Sequence, residues 1–263
     1  MSWIEALILG IVQGLTEFLP VSSSGHLEIG SVLLGLQGSN NLLFAVVVHL
    51  ATAMSTIVVY RRDIGRLAVG LLNLKANESW NFTFKILLSM IPVAIIGLLW
   101  QDEIEAFFSG NLLLVGSMLL ITAILLTVSH YFGKPTGEVT FLKALIIGFA
   151  QAVAVLPGIS RSGATISTAL ILGVEREKAA RFSFLMVLIP IVGAAMLKLK
   201  DYFESPIAMG LSSVSLLVGF LAAFLSGYFA CRLMVRLVTK GSLIFFAMYC
   251  AIVGVIAIIS QIV

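Results

Sequence analysis

Gln13 and Glu17 are polar residues inside an otherwise apolar stretch that includes QGLTEFLPVSSSGH. Their spacing of four places both side chains on one face of a helix, pointing the same way. A carboxylate in apolar surroundings is costly, so a glutamate at this place indicates acid/base or ion-binding chemistry. The structural alternative is a glutamate whose carboxylate reaches the membrane interface from a shallow hairpin.

The same stretch continues with three serines and a glycine, which open a second predicted helix. Serine hydroxyls and the free backbone N–H groups of a helix start converge at the positive end of the helix dipole. Such a start favours the binding of an anion. The alternative for each serine is a simple N-cap. The predicted anion-binding residues of this turn are Ser22, Ser23, Ser24 and Gly25, and Gln13 is predicted to bind substrate beside them.

His26 follows these serines directly and is a candidate proton donor or acceptor, because imidazole titrates near neutral pH. A lone histidine in an apolar chain is more often a hydrogen-bonded packing residue, and we interpret His49 and His130 in this way. His26 differs from these two because of its polar neighbours. The sequence therefore predicts an acid/base role for His26 alone.

A second polar motif, PGISRSGAT, repeats the hydroxyl-rich helix start and adds Arg161. A guanidinium stays charged and offers a rigid fork of N–H donors that matches phosphate oxygens. The alternative is a buried ion pair with Glu17, which is compatible with phosphate binding when the site is empty. The predicted substrate-binding residues of this second turn are Ser160, Arg161, Ser162, Gly163 and Thr165.

The elements that must position these motifs are membrane helices. Hydrophobic residues make up 60% of the 263 residues and charged residues 11%, with a mean hydropathy of +1.11. Such a chain has too little polar surface to cover a water-soluble globule. The net charge of +3 is small, so we interpret the basic residues as topology markers and expect no nucleic-acid partner. The predicted class is an all-α polytopic protein in contact with the lipid bilayer.

Six stretches are apolar and long enough to cross a bilayer, which takes about 20 residues per helix. Regions 3–35 and 141–173 are interrupted by Pro, Gly and Ser, and each is predicted to form a re-entrant hairpin of two half-helices. The alternative is that each interrupted region crosses fully and its polar residues satisfy a kink. The predicted crossings are 41–60, 82–100, 112–132, 182–199, 209–231 and 242–263.

The two interrupted regions resemble each other in sequence. A shift of 138 positions aligns them without a gap, with ten identical pairs in about 30 positions. Shared polar residues, such as Gln13 with Gln151, are more informative than shared apolar ones. We predict two repeats, 1–132 and 141–263, within a single membrane domain of residues 1–263.

Charge orients the two repeats. Basic residues concentrate at 61–85 and acidic residues at 102–105, which places the first loop in the cytoplasm and the second outside. Alternation along the chain puts the basic residues of 134–181 and 232–240 inside, whereas the lysines at 198–200 fall outside. Each repeat has an odd number of crossings, so the two are inverted, as in many transporters.

An inverted repeat is expected to bring its two turns together near the membrane midplane. One cavity would then hold Glu17, the serines and His26 opposite Arg161, which is an anion site with acid/base groups. A phosphate reached from within a membrane suggests a lipid phosphate, and two helix starts with an arginine would stabilise the charge of phosphoryl transfer. The main alternative is a transporter or flippase of a lipid phosphate. A scaffold protein does not account for the repeated turns.

The two motifs closely resemble the two signatures of the undecaprenyl-diphosphate phosphatase family, also called bacitracin resistance proteins. The resemblance extends over the chain in length, motif order and hydropathy. It implies a bacterial inner-membrane enzyme that removes the terminal phosphate from undecaprenyl diphosphate and regenerates the lipid carrier of peptidoglycan assembly. It also implies six crossings, two re-entrant hairpins and a homodimer.

Carried onto this sequence, the resemblance implies catalytic roles for Glu17, Ser23, His26 and Arg161. The family's E/Q-x-x-x-E element falls on Gln13 and Glu17, and the glutamine weakens any scheme with two carboxylates on one ion. The resemblance also implies a divalent cation, Mg²⁺ or Ca²⁺, for which Glu17 is the evident carboxylate ligand. In this scheme Arg161 holds the diphosphate, Ser23 or a water molecule attacks, and His26 and Glu17 transfer protons.

Overall fold

The computed structural model describes residues 1–36, 40–73, 77–107, 110–133, 135–204, 212–241 and 243–261. Within these ranges the chain forms thirteen α-helices and no β-strand, apart from an isolated bridge between Gly137 and Val174. The prediction of an all-α fold is confirmed. In chain order the helices are α1 (Trp3–Phe18), α2 (Ser23–Leu33), α3 (Asn40–Val59), α4 (Arg61–Leu72), α5 (Glu78–Leu99), α6 (Gln101–Ala106), α7 (Leu112–Phe132), α8 (Phe141–Val153), α9 (Arg161–Ile171), α10 (Arg176–Met186), α11 (Leu188–Glu204), α12 (Ser213–Lys240) and α13 (Leu243–Ile259).

Several of the described helices are long and apolar enough to cross a membrane. Their outer faces carry exposed apolar side chains, such as Leu98 at 69% exposure, which is the surface that lipid covers. A fifth candidate joins Leu43–Val59 to Arg61–Leu72 across a bend of 76°. The chain is therefore a multi-pass membrane protein, whereas the exact count of six crossings stays a prediction. The four unbent candidates are Glu78–Leu99, Leu112–Phe132, Arg176–Met196 and Ser213–Lys240.

Each of the two interrupted regions folds into two short helices around a turn. Residues 19–22 separate α1 from α2, and residues 154–160 separate α8 from α9. Pro20 and Pro157 lie in these turns, where a fixed φ and a missing N–H prevent the helix from continuing. The helices α2 and α9 begin and end 138 positions apart, which is the offset of the sequence repeat.

The packing of the helices follows the same correspondence. Helix α1 lies along α12, and its counterpart α8 lies along α5, which occupies the position equivalent to α12. Helix α7 packs against α13 and also against α9, the helix that follows the second turn. The main apolar core lies between these helices and includes Phe18, Phe182 and Phe184. The division into two inverted membrane repeats stays a prediction.

Two predicted crossings have different bounds in the structure. In place of the predicted crossing 182–199, helix α10 begins earlier, at Arg176. The helix then breaks at Val187, between α10 and α11, because Pro190 has no N–H to donate to the carbonyl of Met186. Helix α12 continues beyond residue 231 to Lys240, where Gly241 ends it with φ of +78°. Residues 209–211, 242 and 262–263 of the predicted crossings lie outside the described residues.

Two charged segments that were interpreted as membrane loops are helical. Helix α4 carries the basic residues 61–66 and has no buried residue, which suits a helix lying at the membrane interface. Helix α6 includes the acidic residues 102–105. The orientation inferred from these charges stays a prediction. Lys75, Lys134 and the side chains of Asp102, Glu105, Lys198, Lys200, Asp201 and Glu204 lie outside the part of the chain that the structure describes.

Gly158 occupies a position in the second turn that only glycine fits. Its φ is +98°, and an added Cβ would collide with the carbonyl oxygen of Val115 and lie 2.7 Å from Cβ of Met118. We expect Gly158→Ala to lower the free energy of unfolding by roughly 3 kcal/mol, because backbone strain and overpacking add. Gly97→Ala is the matched control, since its Cβ would meet nothing within 4 Å. Equal thermal midpoints in detergent for the two variants would contradict this account.

Candidate active site

The carboxylate of Glu17 is the point where the two turns meet. Its side chain is 6% exposed, and Arg161 Nη2 donates to its Oε1 at 2.9 Å. Its other oxygen, Oε2, accepts from Ser23 Oγ at 2.6 Å and from Gln13 Nε2 at 2.8 Å. The carboxylate of Glu17, near the end of α1, is thus held by the guanidinium of Arg161 from the second motif and by the Ser23 hydroxyl from the first motif.

Local sequence explains how each of these side chains reaches Glu17. Gln13 and Glu17 lie four residues apart on α1, so their side chains meet on one helix face. Ser23 is the first residue of α2 and Arg161 the first residue of α9. Both helices therefore begin at the carboxylate, and their N–H groups without intrahelical partners lie at the same place.

The two turns are fixed against each other by direct contacts. Ser162 Oγ donates to the carbonyl oxygen of Leu19 at 3.2 Å, which ties the second turn to the first. A Cβ on Gly25 would lie 3.1 Å from Cα of Gly158, so the two backbones nearly touch. Thr122 of α7 donates to the carbonyl oxygen of Gly158 at 3.2 Å. These contacts hold the two helix starts as one rigid platform.

Several of the predicted substrate-binding hydroxyls shape the turns. Ser22 Oγ accepts from the N–H of Gly25 at 3.2 Å, and Ser160 Oγ accepts from the N–H of Gly163 at 3.0 Å, so both serines are N-caps. Thr165 Oγ1 donates to the carbonyl oxygen of Arg161 at 2.9 Å. Ser24 Oγ lies 3.3 Å from Ser22 Oγ. A direct contact of these residues with substrate stays a prediction.

Ser22 has a φ of +69°, and no other described residue except glycine has a positive φ. A serine in this region of backbone space is strained and persists only where the surrounding structure holds it. The strained residue immediately precedes Ser23 and turns the chain so that the Ser23 hydroxyl reaches Glu17. Strain of this kind concentrates at functional sites.

The structure places His26 away from Glu17. Its Nδ1 lies 2.8 Å from the carbonyl oxygen of Ser22 and its Nε2 lies 2.8 Å from the hydroxyl of Tyr249. The ring also stacks on Tyr249, with 5.6 Å between the centroids. His26 thus anchors the Ser22 turn to α13, and its predicted role in proton transfer stays a prediction.

His49 is the histidine that lies beside the carboxylate. Its Nε2 is 3.6 Å from Glu17 Oε2, so the interpretation of His49 as a packing residue is incomplete. The available signal was a polar stripe on α3, because Thr52 and Thr56 follow at spacings of three and seven on the same helix face. Both threonines are buried, and both line the cavity beside Glu17.

The cavity beside Glu17 is small. Its volume is about 10 Å³, which is the space of about one water molecule. Arg161, with 25% of its side chain exposed, and Phe184 are among the residues that line it. The cavity in this structure is therefore too small to hold a phosphate group.

The described residues do not fit a resident divalent cation. They contain no group of three His, Cys, Asp or Glu side chains that could hold a metal ion. Glu17 is already neutralised by Arg161, and its two oxygens accept three hydrogen bonds. The buried Oε1 of Gln13 has no hydrogen-bond partner, but one amide oxygen beside a paired carboxylate is a poor donor set for Mg²⁺ or Ca²⁺. The divalent cation implied by the family resemblance stays a prediction.

Comparison with known proteins identifies the family. The family model described as "Bacitracin resistance protein BacA" matches residues 6–256, which include both turns. The chain belongs to this family. Similar BacA-family proteins named undecaprenyl-diphosphatase occur in Bacteroides fragilis, with 52% identity over 262 residues and 98% of each chain covered, and in Bacteroides thetaiotaomicron, with 50% identity over 264 residues and 99% of this chain and 100% of the relative covered. A more distant one occurs in Carboxydothermus hydrogenoformans, with 42% identity over 267 residues, covering 99% of this chain and 98% of the relative.

Proposed function

We propose that this BacA-family chain hydrolyses undecaprenyl diphosphate to undecaprenyl phosphate and inorganic phosphate in the bacterial inner membrane. The observation that carries the proposal is the pairing of Arg161 and Ser23 on the two oxygens of Glu17. This arrangement supplies a phosphate-binding cation, a nucleophile and a base within one contact shell. Similar proteins named undecaprenyl-diphosphatase, matching nearly the full length, support the choice of substrate.

Arg161 binds the diphosphate in the proposed mechanism. The guanidinium leaves Glu17 and directs its fork of N–H donors at the phosphate oxygens. The starts of α2 and α9 add the positive ends of two helix dipoles at the same place. Charge that develops on the phosphate oxygens in the transition state is thereby stabilised.

Ser23 attacks the terminal phosphorus in the same mechanism. Glu17 Oε2, 2.6 Å from Ser23 Oγ, accepts the hydroxyl proton as the new bond to phosphorus forms. The anhydride bond breaks, and its electron pair leaves with undecaprenyl phosphate. A water molecule then attacks the phosphorus of the phosphoserine, and one of its protons leaves to solvent. The bond between phosphorus and Ser23 Oγ breaks as Glu17 returns its proton to Ser23, and inorganic phosphate is released.

A phosphoserine at position 23 is the expected intermediate. Rapid acid quenching during turnover, followed by mass spectrometry of the peptide that contains Ser23, measures it directly. We also expect Ser23→Ala to lower kcat by about 1,000-fold, because the nucleophile is lost. If turnover proceeds under quench conditions that preserve phosphoserine and none is found, a water molecule attacks directly.

Transport of a polyprenyl phosphate without hydrolysis is the alternative function. A transporter would use Arg161 and the helix starts, but it has no need for a hydroxyl that donates to a carboxylate at 2.6 Å. The similar proteins are named for hydrolysis. Hydrolysis is therefore the better supported function.

The exposed apolar faces of the membrane helices fit a long isoprenoid chain that stays in the bilayer while its diphosphate enters the site. The monophosphate product would re-enter peptidoglycan assembly, and its supply explains resistance to bacitracin. A homodimer is also part of the proposal and rests on the family resemblance.

Hydrolysis in ¹⁸O-labelled water tests the proposed function. Purified protein in detergent is incubated with undecaprenyl diphosphate, and both products are analysed by mass spectrometry. We expect one ¹⁸O atom in the inorganic phosphate and none in the lipid monophosphate, because attack occurs at the terminal phosphorus. Label in the lipid product, or no phosphate release by folded protein, would contradict the proposal.

A further inference from the structure

A second cavity lies where α3 ends and α4 begins, beside α12. Its volume is about 300 Å³, which is the size of a small-molecule binding site. None of its lining residues takes part in the proposed hydrolysis, and three of them are arginines. The lining residues are Val59, Arg61, Arg62, Tyr228 and Arg232.

Two of the three guanidinium groups are oriented by contacts with the protein. Arg61 Nη1 donates to the carbonyl oxygen of Val58 at 3.2 Å. Arg232 Nη1 donates to the hydroxyl of Tyr228 at 3.0 Å, and its Cζ lies 5.6 Å from the centroid of the same ring. A guanidinium has five N–H donors, so each of the two arginines keeps donors for a ligand.

The positive charge of this cavity is not neutralised by the protein. Within the described ranges of the chain, no carboxylate forms an ion pair with Arg61, Arg62 or Arg232. Asp63 lies in the same first turn of α4, but its Oδ1 pairs with Arg181 Nε at 3.0 Å. Three like charges around one cavity repel one another, and a bound anion would relieve this repulsion. The cavity therefore has the charge of an anion-binding site.

The position of the cavity favours an anion that belongs to a lipid. Helix α4 has no buried residue and suits the membrane interface, which is where lipid phosphates lie. Exposed apolar side chains lead from the cavity along the membrane helices, namely Ile57 on α3 and Leu225 and Phe229 on α12. Leu225 and Arg232 are seven residues apart, so they share one face of α12. An acyl chain can lie along this face while its phosphate reaches the arginines.

We propose that this cavity binds the phosphate headgroup of an anionic phospholipid, whose acyl chains lie along the exposed apolar faces of α3 and α12. Guanidinium groups match phosphate oxygens in geometry and charge, and basic pockets beside membrane helices recognise such headgroups. The bound lipid bridges α4 and α12 and holds α4 at the membrane surface. The site is independent of hydrolysis, because no residue of the Glu17 contact shell lines it.

Native mass spectrometry of the purified chain in detergent tests this site. The protein is titrated with phosphatidylglycerol and, in parallel, with phosphatidylcholine of the same acyl chains, which carries the same phosphate and an added cation. We expect Kd for phosphatidylglycerol to be at least about tenfold lower, because the three arginines attract a net negative headgroup. Equal affinities for the two lipids would overturn the proposal.

Single substitutions separate the cavity from a general attraction of lipid to basic residues. Arg62→Gln and Arg232→Gln each remove one cavity charge at an exposed position, and each should raise Kd for phosphatidylglycerol by about fivefold. Arg236→Gln is the matched control, since Arg236 is exposed one turn further along α12 and does not line the cavity. It should leave Kd unchanged. Equal weakening in all three variants would overturn the site.

Glycerol phosphate distinguishes a lipid from a free phosphate, since it has the anionic group without the acyl chains. Added at the concentration of phosphatidylglycerol, it should leave the lipid bound, because each buried CH₂ group of an acyl chain adds to the affinity. Displacement of the lipid under these conditions would show that the cavity binds free phosphates and would overturn the assignment to a lipid.

Discussion

Replacing Arg161 with alanine is expected to lower kcat/KM for undecaprenyl diphosphate by at least about 1,000-fold. A loss of this size corresponds to about 4 kcal/mol of transition-state stabilisation, as found for arginines that hold a transferring phosphoryl group. The reason is geometric. Arg161 is the first residue of α9, and its guanidinium contacts the same carboxylate, that of Glu17, as the Ser23 hydroxyl. Phosphate release measured over a range of substrate concentrations gives the value.

The alanine variant also leaves Glu17 buried without its cation, which costs about 3–5 kcal/mol of stability. Arg161→Lys separates folding from catalysis, because lysine keeps the charge and loses the fork of donors, and we expect a loss of about 100-fold in kcat/KM. Arg236→Ala is the control, since Arg236 is exposed on α12. Near-normal turnover by folded Arg161→Ala and Arg161→Lys would show that Arg161 does not bind the diphosphate.

Replacing Glu17 with glutamine is expected to move turnover and binding in opposite directions. Glutamine cannot accept the Ser23 proton, so kcat should fall by about 1,000-fold. The same change releases Arg161 from its ion pair and removes a negative charge beside the phosphate. Binding of a methylene-bridged farnesyl diphosphonate, a short-chain substrate analogue that is not hydrolysed, should therefore become tighter, by about tenfold. Titration calorimetry and phosphate release measure the two effects separately.

Glu177→Gln is the matched control for Glu17→Gln, because Glu177 is an exposed carboxylate in the first turn of α10. It should change neither quantity. If Glu17→Gln weakened diphosphonate binding and left kcat intact, Glu17 would be a binding residue and not the base of the reaction.

Local sequence patterns were sufficient to predict most of the contact shell around Glu17. The spacing of Gln13 and Glu17 fixes their common helix face, and the turn chemistry at Pro20 and Pro157 fixes where the second half-helices begin. Ser23 and Arg161 follow from these starts, because each is the first residue of its helix.

The position of His49 beside Glu17 depends on tertiary packing. His49 shares a face of α3 with Thr52 and Thr56, but only the packing of α3 beside α1 places its ring at Glu17. His26, by contrast, has polar neighbours in sequence, yet the direction of its ring is set by Tyr249 of the distant helix α13. Spacing along one helix cannot reveal either contact.

Helix bounds were less predictable than the motifs for a different reason. Hydropathy marks where the chain leaves lipid, whereas a helix ends where its backbone must turn. Helix α12 therefore passes through Arg232 and Arg236 and ends at Gly241, whose φ of +78° closes it. The break at Val187 comes from Pro190, a local feature inside an apolar stretch.

The most direct test of the central claim is release of inorganic phosphate from undecaprenyl diphosphate by the purified, unaltered chain in detergent. We predict multiple turnovers, and a loss of release in both Glu17→Gln and Arg161→Ala. Folded protein that binds the diphosphonate but releases no phosphate would contradict hydrolysis at the paired turns and would favour transport of a lipid phosphate.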